Sequence, residues 1–255
     1  MPRPPVSTSN APRPQSPPDP LATIAPADLR SHRLRPLQGK PAGSLLIHEI
    51  YRSLQGESTF AGLPCVFVRF TACNLRCGYC DTPHAFTEGT LLTLDQVVEQ
   101  TLQLGDPVVE LTGGEPLLQP EAFPLMTRLA DAGRTVLLEI SGSIDIGPVD
   151  RRVHVILDLK TPGSGEVAAN CWANIPLLKP TDELKFVLCD RADFDWAVAQ
   201  IHRHRLLDRC PVLFSTSFGT VPPTELAAWI LETGLPIRLQ LQLHKILWDP
   251  AARGV

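Results

Sequence analysis

Three cysteines fall within one short run, Cys73-Asn74-Leu75-Arg76-Cys77-Gly78-Tyr79-Cys80, with C-x3-C-x2-C spacing. Thiolates this close can take three corners of a four-iron, four-sulfur cube, which ordinarily has four cysteine ligands. One iron is then left without a protein ligand, an arrangement suited to binding a substrate or cofactor rather than to storing an electron. The run admits a second chemistry: His84 follows Cys80 by four residues, and a Cys3His zinc site is stereochemically open to that set. Further along stands Gly113-Gly114-Glu115-Pro116. Two glycines let backbone pass close to a ligand, Glu115 adds a carboxylate, and Pro116 fixes the exit of the chain.

Alternating strands and helices position these motifs. Short β-rich runs are expected at Leu45–Ile50, Cys65–Phe70, Pro107–Leu111, Thr135–Ile140, Val153–Leu159, Glu183–Leu188, Pro211–Phe214 and Ile237–Leu243. Helical spacing of apolar residues marks Thr93–Leu104, Pro120–Ala132, Phe194–His204 and Pro222–Thr233, with Gly133 and Gly234 as stops. Strands alternating with helices indicate right-handed βαβ units and a parallel sheet. The repeats are too few for a full eight-fold barrel, so the expected fold is α/β, an open, partial (β/α) barrel. In such folds the chemistry gathers at the carboxyl ends of the strands. Each polar motif follows a strand, so one shared site is expected at that pole.

Composition narrows the class. Residues 1–44 hold 11 of the 26 prolines and lack periodic apolar residues. They read as a disordered extension before a catalytic domain at 45–255. The extension carries six basic and two acidic residues, so the total of −4 leaves about −8 on the domain, which argues against nonspecific nucleic-acid binding. No apolar run has the length of a membrane span. Seven cysteines, three of them clustered, favour a reducing, cytoplasmic setting and metal ligation over disulfides. Cys65, Cys171, Cys189 and Cys210 sit among apolar neighbours and read as buried, inert thiols.

The cysteine triad with Tyr79 before its last member, followed by Gly-Gly-Glu-Pro, resembles the radical S-adenosylmethionine superfamily. Within it, Ser53-Leu54-Gln55-Gly56-Glu57, Val66-Phe67-Val68-Arg69-Phe70, Cys80-Asp81-Thr82, Gln242-Leu243-His244-Lys245 and Arg253-Gly254-Val255 resemble the 7-carboxy-7-deazaguanine synthase family over residues 45–255. The resemblance implies that Cys73, Cys77 and Cys80 hold one [4Fe-4S] cluster per subunit. It implies that S-adenosylmethionine lies against Gly114, with Ser141, Asp158-Leu159-Lys160 and Ser215 as further contacts. The implied substrate is 6-carboxy-5,6,7,8-tetrahydropterin, met by Leu54, Gln55, Gly56, Glu57, Arg69, Thr112 and the carboxylate of Val255. Arg69 would fork onto the substrate carboxylate, Glu57 would read the guanidine-like edge, and Thr82 would ligate Mg2+. His244 and Lys245 would help close the site. A flavodoxin or ferredoxin donor and a homodimer are the implied partners, with no nucleic acid and no membrane.

Two positions depart from the family pattern. Ser58-Thr59 stands where a glycine usually follows Glu57, implying a looser loop, and Ile140 replaces a polar residue. Two other readings share part of the evidence. A radical activase acting on a partner's glycine needs the triad and the glycine pair but not the Gln-Gly-Glu loop. A zinc or redox-sensing module explains the cysteines but not the motifs on later strands.

Overall fold

The computed structural model describes residues 32–255, so the expected disorder of the proline-rich extension lies, for residues 1–31, outside the described residues. Residues 32–43 lead into the first strand. Arg33 donates to the carbonyl of Asn74 (2.9 Å) and pairs with Glu166 (3.0 Å), and Lys40 pairs with Glu121 (2.6 Å).

Nine strands form one sheet: β1 (Ser44–Leu54), β2 (Pro64–Phe70), β3 (Thr90–Thr93), β4 (Val108–Gly113), β5 (Thr135–Ile140), β6 (His154–Asp158), β7 (Glu183–Leu188), β8 (Val212–Thr216) and β9 (Arg238–Leu239). Their order is β3-β1-β2-β4-β5-β6-β7-β8-β9, and the sheet does not close. From β2 to β9 every neighbouring pair is parallel; β1 runs antiparallel to both β2 and β3. Helices α1 (Leu94–Gln103), α2 (Ala122–Asp131), α3 (Arg191–His204) and α4 (Pro223–Thr233) carry the crossovers into β4, β5, β8 and β9, whereas β5 to β6 is a loop and β6 to β7 passes through short 3-10 turns. This is a partial (β/α) barrel. Among the described residues no helix is long and apolar enough to cross a membrane.

Local chemistry sets the helix ends. Thr93 Oγ1 accepts from Gln96 N–H while Gln96 Oε1 accepts from Thr93 N–H. This reciprocal cap is worth about 1 kcal/mol. Asp190 caps α3 one way, accepting from Asp193 N–H at 3.0 Å. Pro223 opens α4, and Gly234, at φ 65°, closes it.

The strands alternate with period two, and the alternation sorts the chemistry. Val66, Val68, Phe70, Val109, Leu111, Val136, Leu138, Leu157, Leu184, Phe186, Val212 and Phe214 pack with helix residues such as Leu125, Phe194 and Leu226 in the main core. Ile140 belongs to this layer, which accounts for its departure from a polar residue. The opposite face carries a small apolar cluster of Cys65, Phe67, Val108, Leu137 and Ile156, with Tyr51 and Phe60 against it. Charged side chains lie further along those same strands.

Three expectations need correction. The closing strand expected over Ile237–Leu243 is a strand only at Arg238–Leu239; Gln240 N–H still donates to Phe214 O (2.8 Å), and the chain then leaves the sheet, with Leu243 N–H donating to Gly56 O (2.9 Å) and the side chains of Gln240 and Gln242 on Glu57. His244 and Lys245 therefore stand in a short helix, α5 (His244–Leu247), and not at a strand end. Third, Cys171 is half-buried, whereas Cys65, Cys189 and Cys210 are buried as expected.

Candidate active site

The cysteine loop leaves β2 and is seated on the end of β4. Ala72 takes a left-handed conformation (φ 78°) just before Cys73, and its carbonyl accepts from Glu115 N–H at 2.8 Å. A Cβ at Gly114 would lie 1.9 Å from that oxygen; one at Gly113 (φ 118°) would lie 2.5 Å from the Phe70 main chain. The glycine pair is thus required first by chain meeting chain. Glu115 is fully buried and accepts from Ser141 N–H (2.9 Å) and Ser141 Oγ (2.5 Å). Ser141 Oγ meets Ser143 Oγ, which accepts from Asn74 Nδ2 (3.0 Å), so a polar chain runs from β5 back to the cysteine loop.

Sulfurs on one tetrahedral zinc lie about 3.8 Å apart. Among the described residues, the cysteines do not form a group whose ligand atoms all lie within 4.8 Å of one another. Burial pushes the Cys73 thiol up to about 12, with Glu115 adding to it, and the Cys77 thiol up to about 11. Such thiols stay protonated until iron supplies positive charge. Lys160 offsets part of this cost by favouring both thiolates. It donates to Asp158 Oδ2 at 2.9 Å, and its main chain is held on both sides by Asn170. The side chain of Leu159 faces the helix layer, leaving only its backbone to a ligand. Among the described residues, the buried polar atoms without a partner include Asp158 Oδ1, Tyr79 OH and Asn74 Oδ1. All three belong to the cysteine loop or to the strand end whose Lys160 lies beside it, which fits a polar ligand seated on an open iron.

Thr82 begins the turn Pro83–Phe86 without using its hydroxyl as a cap, and Oγ1 stands 3.9 Å from Cys80 Sγ. The Asp81 carboxyl is raised by burial but held below its ordinary value overall by Lys245, Lys185 and Arg69.

The Leu54–Glu57 motif is the main surprise. It follows β1, which is antiparallel, so it enters from the amino ends of the parallel strands and not from the expected carboxyl pole. The hairpin loop crosses that end as a floor. Gln55 bonds Glu110 on β4, Ser58 N–H donates to Gln240 Oε1 (2.8 Å), and Thr59 bonds Glu183 on β7. Ser58 adopts φ 63°, the conformation a glycine would take, so the loop keeps its turn at a cost of about 1 kcal/mol. A Cβ at Gly56 would lie 2.5 Å from His244 Nδ1, and Leu243 N–H donates to Gly56 O (2.9 Å). Lys245 Nζ reaches Asp81 Oδ2 (2.9 Å). The segment after β9 thereby joins the floor to the cysteine loop.

From the floor Glu57 reaches the interior. Its carboxylate accepts from Lys185, Gln240 (2.8 Å) and Gln242 (2.9 Å). Lys185 also donates to Glu139 (2.7 Å), whose other oxygen accepts from Thr112 Oγ1 (3.1 Å). Arg69 spends Nε on Glu49 (2.7 Å) and one terminal nitrogen on Tyr51 OH (2.8 Å). Ser215 is buried on β8, level with Val187 of β7. Val255 lines a cleft with Arg52, Leu54, Pro64 and Trp248, beside the root of the floor loop. Glu110, Glu139, Lys185 and Gln240 escaped the reading of motifs. The signal for the first three was an ionisable residue inside an otherwise apolar strand, single in β4 and β5 and beside Glu183 in β7, on the face opposite the core.

Burial holds Glu110 well above the ordinary carboxyl range, and Glu139 and Glu57 push the same way. A carboxyl raised on folding contributes its stability below the unfolded value near 4.5 and loses it as pH rises through the folded value. Glu110→Gln keeps an acceptor for Gln55 and removes this slope. Urea unfolding between about pH 5 and pH 8 should show the variant gaining on the wild type as pH rises. Parallel curves would mean Glu110 ionises without cost.

A sequence profile of the Radical SAM superfamily matches residues 67–232. A 7-carboxy-7-deazaguanine synthase of Chlorobaculum tepidum is 46% identical over 214 residues, 83% of this chain and 97% of that protein. One of Koribacter versatilis is 44% identical, covering 82% of this chain and 99% of its own. The chain belongs to the 7-carboxy-7-deazaguanine synthase family of the radical SAM superfamily. The crystal structure of QueE from Escherichia coli shares the fold, with a TM-score of 0.64 over 82% of this chain and 98% of that one, at 20% identity. Membership in the superfamily implies a [4Fe-4S] cluster and S-adenosylmethionine. The cysteine loop of this 7-carboxy-7-deazaguanine synthase family member, with its three free thiols and unpartnered polar atoms, fits both.

Proposed function

We propose that this chain converts 6-carboxy-5,6,7,8-tetrahydropterin to 7-carboxy-7-deazaguanine and ammonia, as a carbon–nitrogen lyase supplying 7-deazapurines such as queuosine. The observation that carries this reading is the 46% identity spanning 97% of a relative bearing that synthase name. The ring contraction balances without a net oxidant, since substrate equals product plus ammonia. Cluster and S-adenosylmethionine, when bound, supply the one-electron chemistry that abstracts and returns a hydrogen atom.

The chain's own residues bind, aim and shelter. Cys73, Cys77 and Cys80 hold the cluster. Gly114, Ser141, Asp158, the Leu159 backbone, Lys160 and Ser215 line the place of S-adenosylmethionine. Arg69 fixes the substrate carboxylate with the guanidinium face that Glu49 and Tyr51 leave open. Glu57, Thr112 and the floor residues Leu54, Gln55 and Gly56 orient the ring from below, with the Val255 carboxylate as a further contact from the side of the floor loop's root. Thr82, whose hydroxyl is not spent on capping, offers an oxygen to Mg2+. A low-potential flavodoxin or ferredoxin is the electron donor. The exposed Phe218, Leu239, Leu241, Ile246 and Leu247 support a homodimer.

The test is anaerobic turnover of reconstituted protein with the pterin, S-adenosylmethionine, reductant and Mg2+, read by mass spectrometry. Product that depends on the cofactor and vanishes in Cys77→Ala is the expected result. 5′-Deoxyadenosine without ring-contracted product would leave the radical machinery standing and remove the substrate assignment. An intact cluster that gives neither would overturn the catalytic reading.

A further inference from the structure

His84 takes partners other than the cysteines. Its ring lies 4.8 Å from that of His48, centroid to centroid. His48, Glu49 and His84 form a group, among the described residues, whose ligand atoms all lie within 4.8 Å of one another. His48 and Glu49 are consecutive on β1, where a regular strand would send them to opposite faces. The register of β1 against β2 shifts between Ile47 and Glu49, and this bulge turns both to one side. Bulges that re-aim a side chain recur beside functional sites.

We propose that His48, Glu49 and His84 form a second metal site, separate from the cysteine loop, for a divalent late first-row ion such as zinc. Two imidazoles and a carboxylate are a donor set such ions accept, with a fourth position left for water. The surroundings orient the ligands as metal ligands are commonly oriented. His48 Nδ1 lies 3.0 Å from the carbonyl of Glu88. A carbonyl only accepts, so Nδ1 carries the proton and the lone pair of Nε2 is left for an ion. Arg69 steadies Glu49 through Oε1 alone (2.7 Å), leaving Oε2 for the metal. His84 sits in the Pro83–Phe86 turn, at the exit of the cysteine loop.

Charge alone does not attract the ion: Glu49 and Glu88 are matched by Arg69 and Arg253. Selectivity therefore rests on the imidazole lone pairs, which favours zinc or nickel over magnesium or calcium. An ion here ties β1 to the end of the cysteine loop and fixes Glu49, and through it the position of Arg69. The assignment stands on these side chains and is independent of the substrate.

The experiment uses the full chain with its cluster loaded, so that the cysteine thiols are occupied, equilibrated with Zn2+ under anaerobic conditions. About one zinc per chain is expected, with a nitrogen and oxygen shell near 2.0–2.1 Å in zinc-edge X-ray absorption. His48→Ala and His84→Ala should each weaken retention at least about tenfold while the cluster iron content stays level. Should His84→Ala fold poorly, His48→Gln on the half-exposed strand decides the question. A sulfur shell near about 2.3 Å would place the zinc on the cysteines and overturn the site. Absence of zinc, or retention unaffected by both variants, would overturn it equally.

Discussion

Gly114→Ala is expected to lose most of its cluster, although Gly114 is not itself a ligand. The added methyl would lie 1.9 Å from the carbonyl oxygen and 2.5 Å from the carbonyl carbon of Ala72. Both are backbone, so no side chain can swing aside, and the root of the cysteine loop must move. Forced overpacking of this kind costs about 1–3 kcal/mol, and the loop carries all three cysteines proposed as cluster ligands. Iron and sulfide per chain after anaerobic reconstitution should fall well below four. The matched control is Gly78→Ala, inside the cysteine run itself, where the nearest atoms to a new Cβ are 4.0 Å away. It should load normally. Equal iron in both variants would mean that the fit of Gly114 against Ala72 does not govern cluster assembly.

Lys185→Met should have the largest effect on stability. Lys185 is buried between Glu57 and Glu139 and donates to both. Burial alone would lower its pKa, but the two carboxylates and Asp158 outweigh it and hold the ammonium charged. Removing one partner from a buried ionic set leaves charge uncompensated, which costs about 3–5 kcal/mol. For a chain of this length that corresponds to a fall in Tm of about 6–20 °C. The pH dependence should reverse as well. Burial raises Glu139, but Lys185, by charge and hydrogen bond, and Thr112 hold it below its ordinary value. Its contribution in the wild type is therefore present above the unfolded value near 4.5 and lost as pH falls. Without Lys185 the burial that raises Glu139 is no longer outweighed by that ammonium, so the variant regains stability as pH falls. Adding Glu57→Gln should restore part of the loss at neutral pH. A Tm unchanged in Lys185→Met would show that the network is solvated and structurally idle.

How much of this was legible before the fold was known varies with the range of the interactions. The cysteine spacing and the parallel strands were readable because each rests on a local pattern. Thr135–Ile140 and Glu183–Leu188 match the expected limits, and Thr93 caps its helix as expected. Thr90–Thr93 was missed because a four-residue edge strand carries too short a pattern to register. The direction of β1 was not readable either, since alternation is the same read up or down a strand. That direction moved the Leu54–Glu57 motif to the opposite pole. Glu110 and Glu139 each looked like an isolated charge and Lys185 like the partner of nearby Glu183, and only the sheet order brings the three to one interior. His48 and Glu49 became neighbours in function through a bulge, which leaves no mark in the pattern of residue types.

The floor formed by the loop after β1 has a kinetic consequence. Gln55, Ser58 and Thr59 seal the amino pole, and the Gln240–Lys245 segment walls the flank between that loop and Asp81. With that pole and flank closed, the way in to Glu57 and Thr112 is expected to lie on the side of the cysteine loop. Whatever rests on Glu57 and Thr112 then has to arrive before that side is occupied and depart after it clears. On the proposed reaction, sequential loading, deepest first in and last out, is the expected result, and initial-rate patterns with varied pterin and S-adenosylmethionine would check that order.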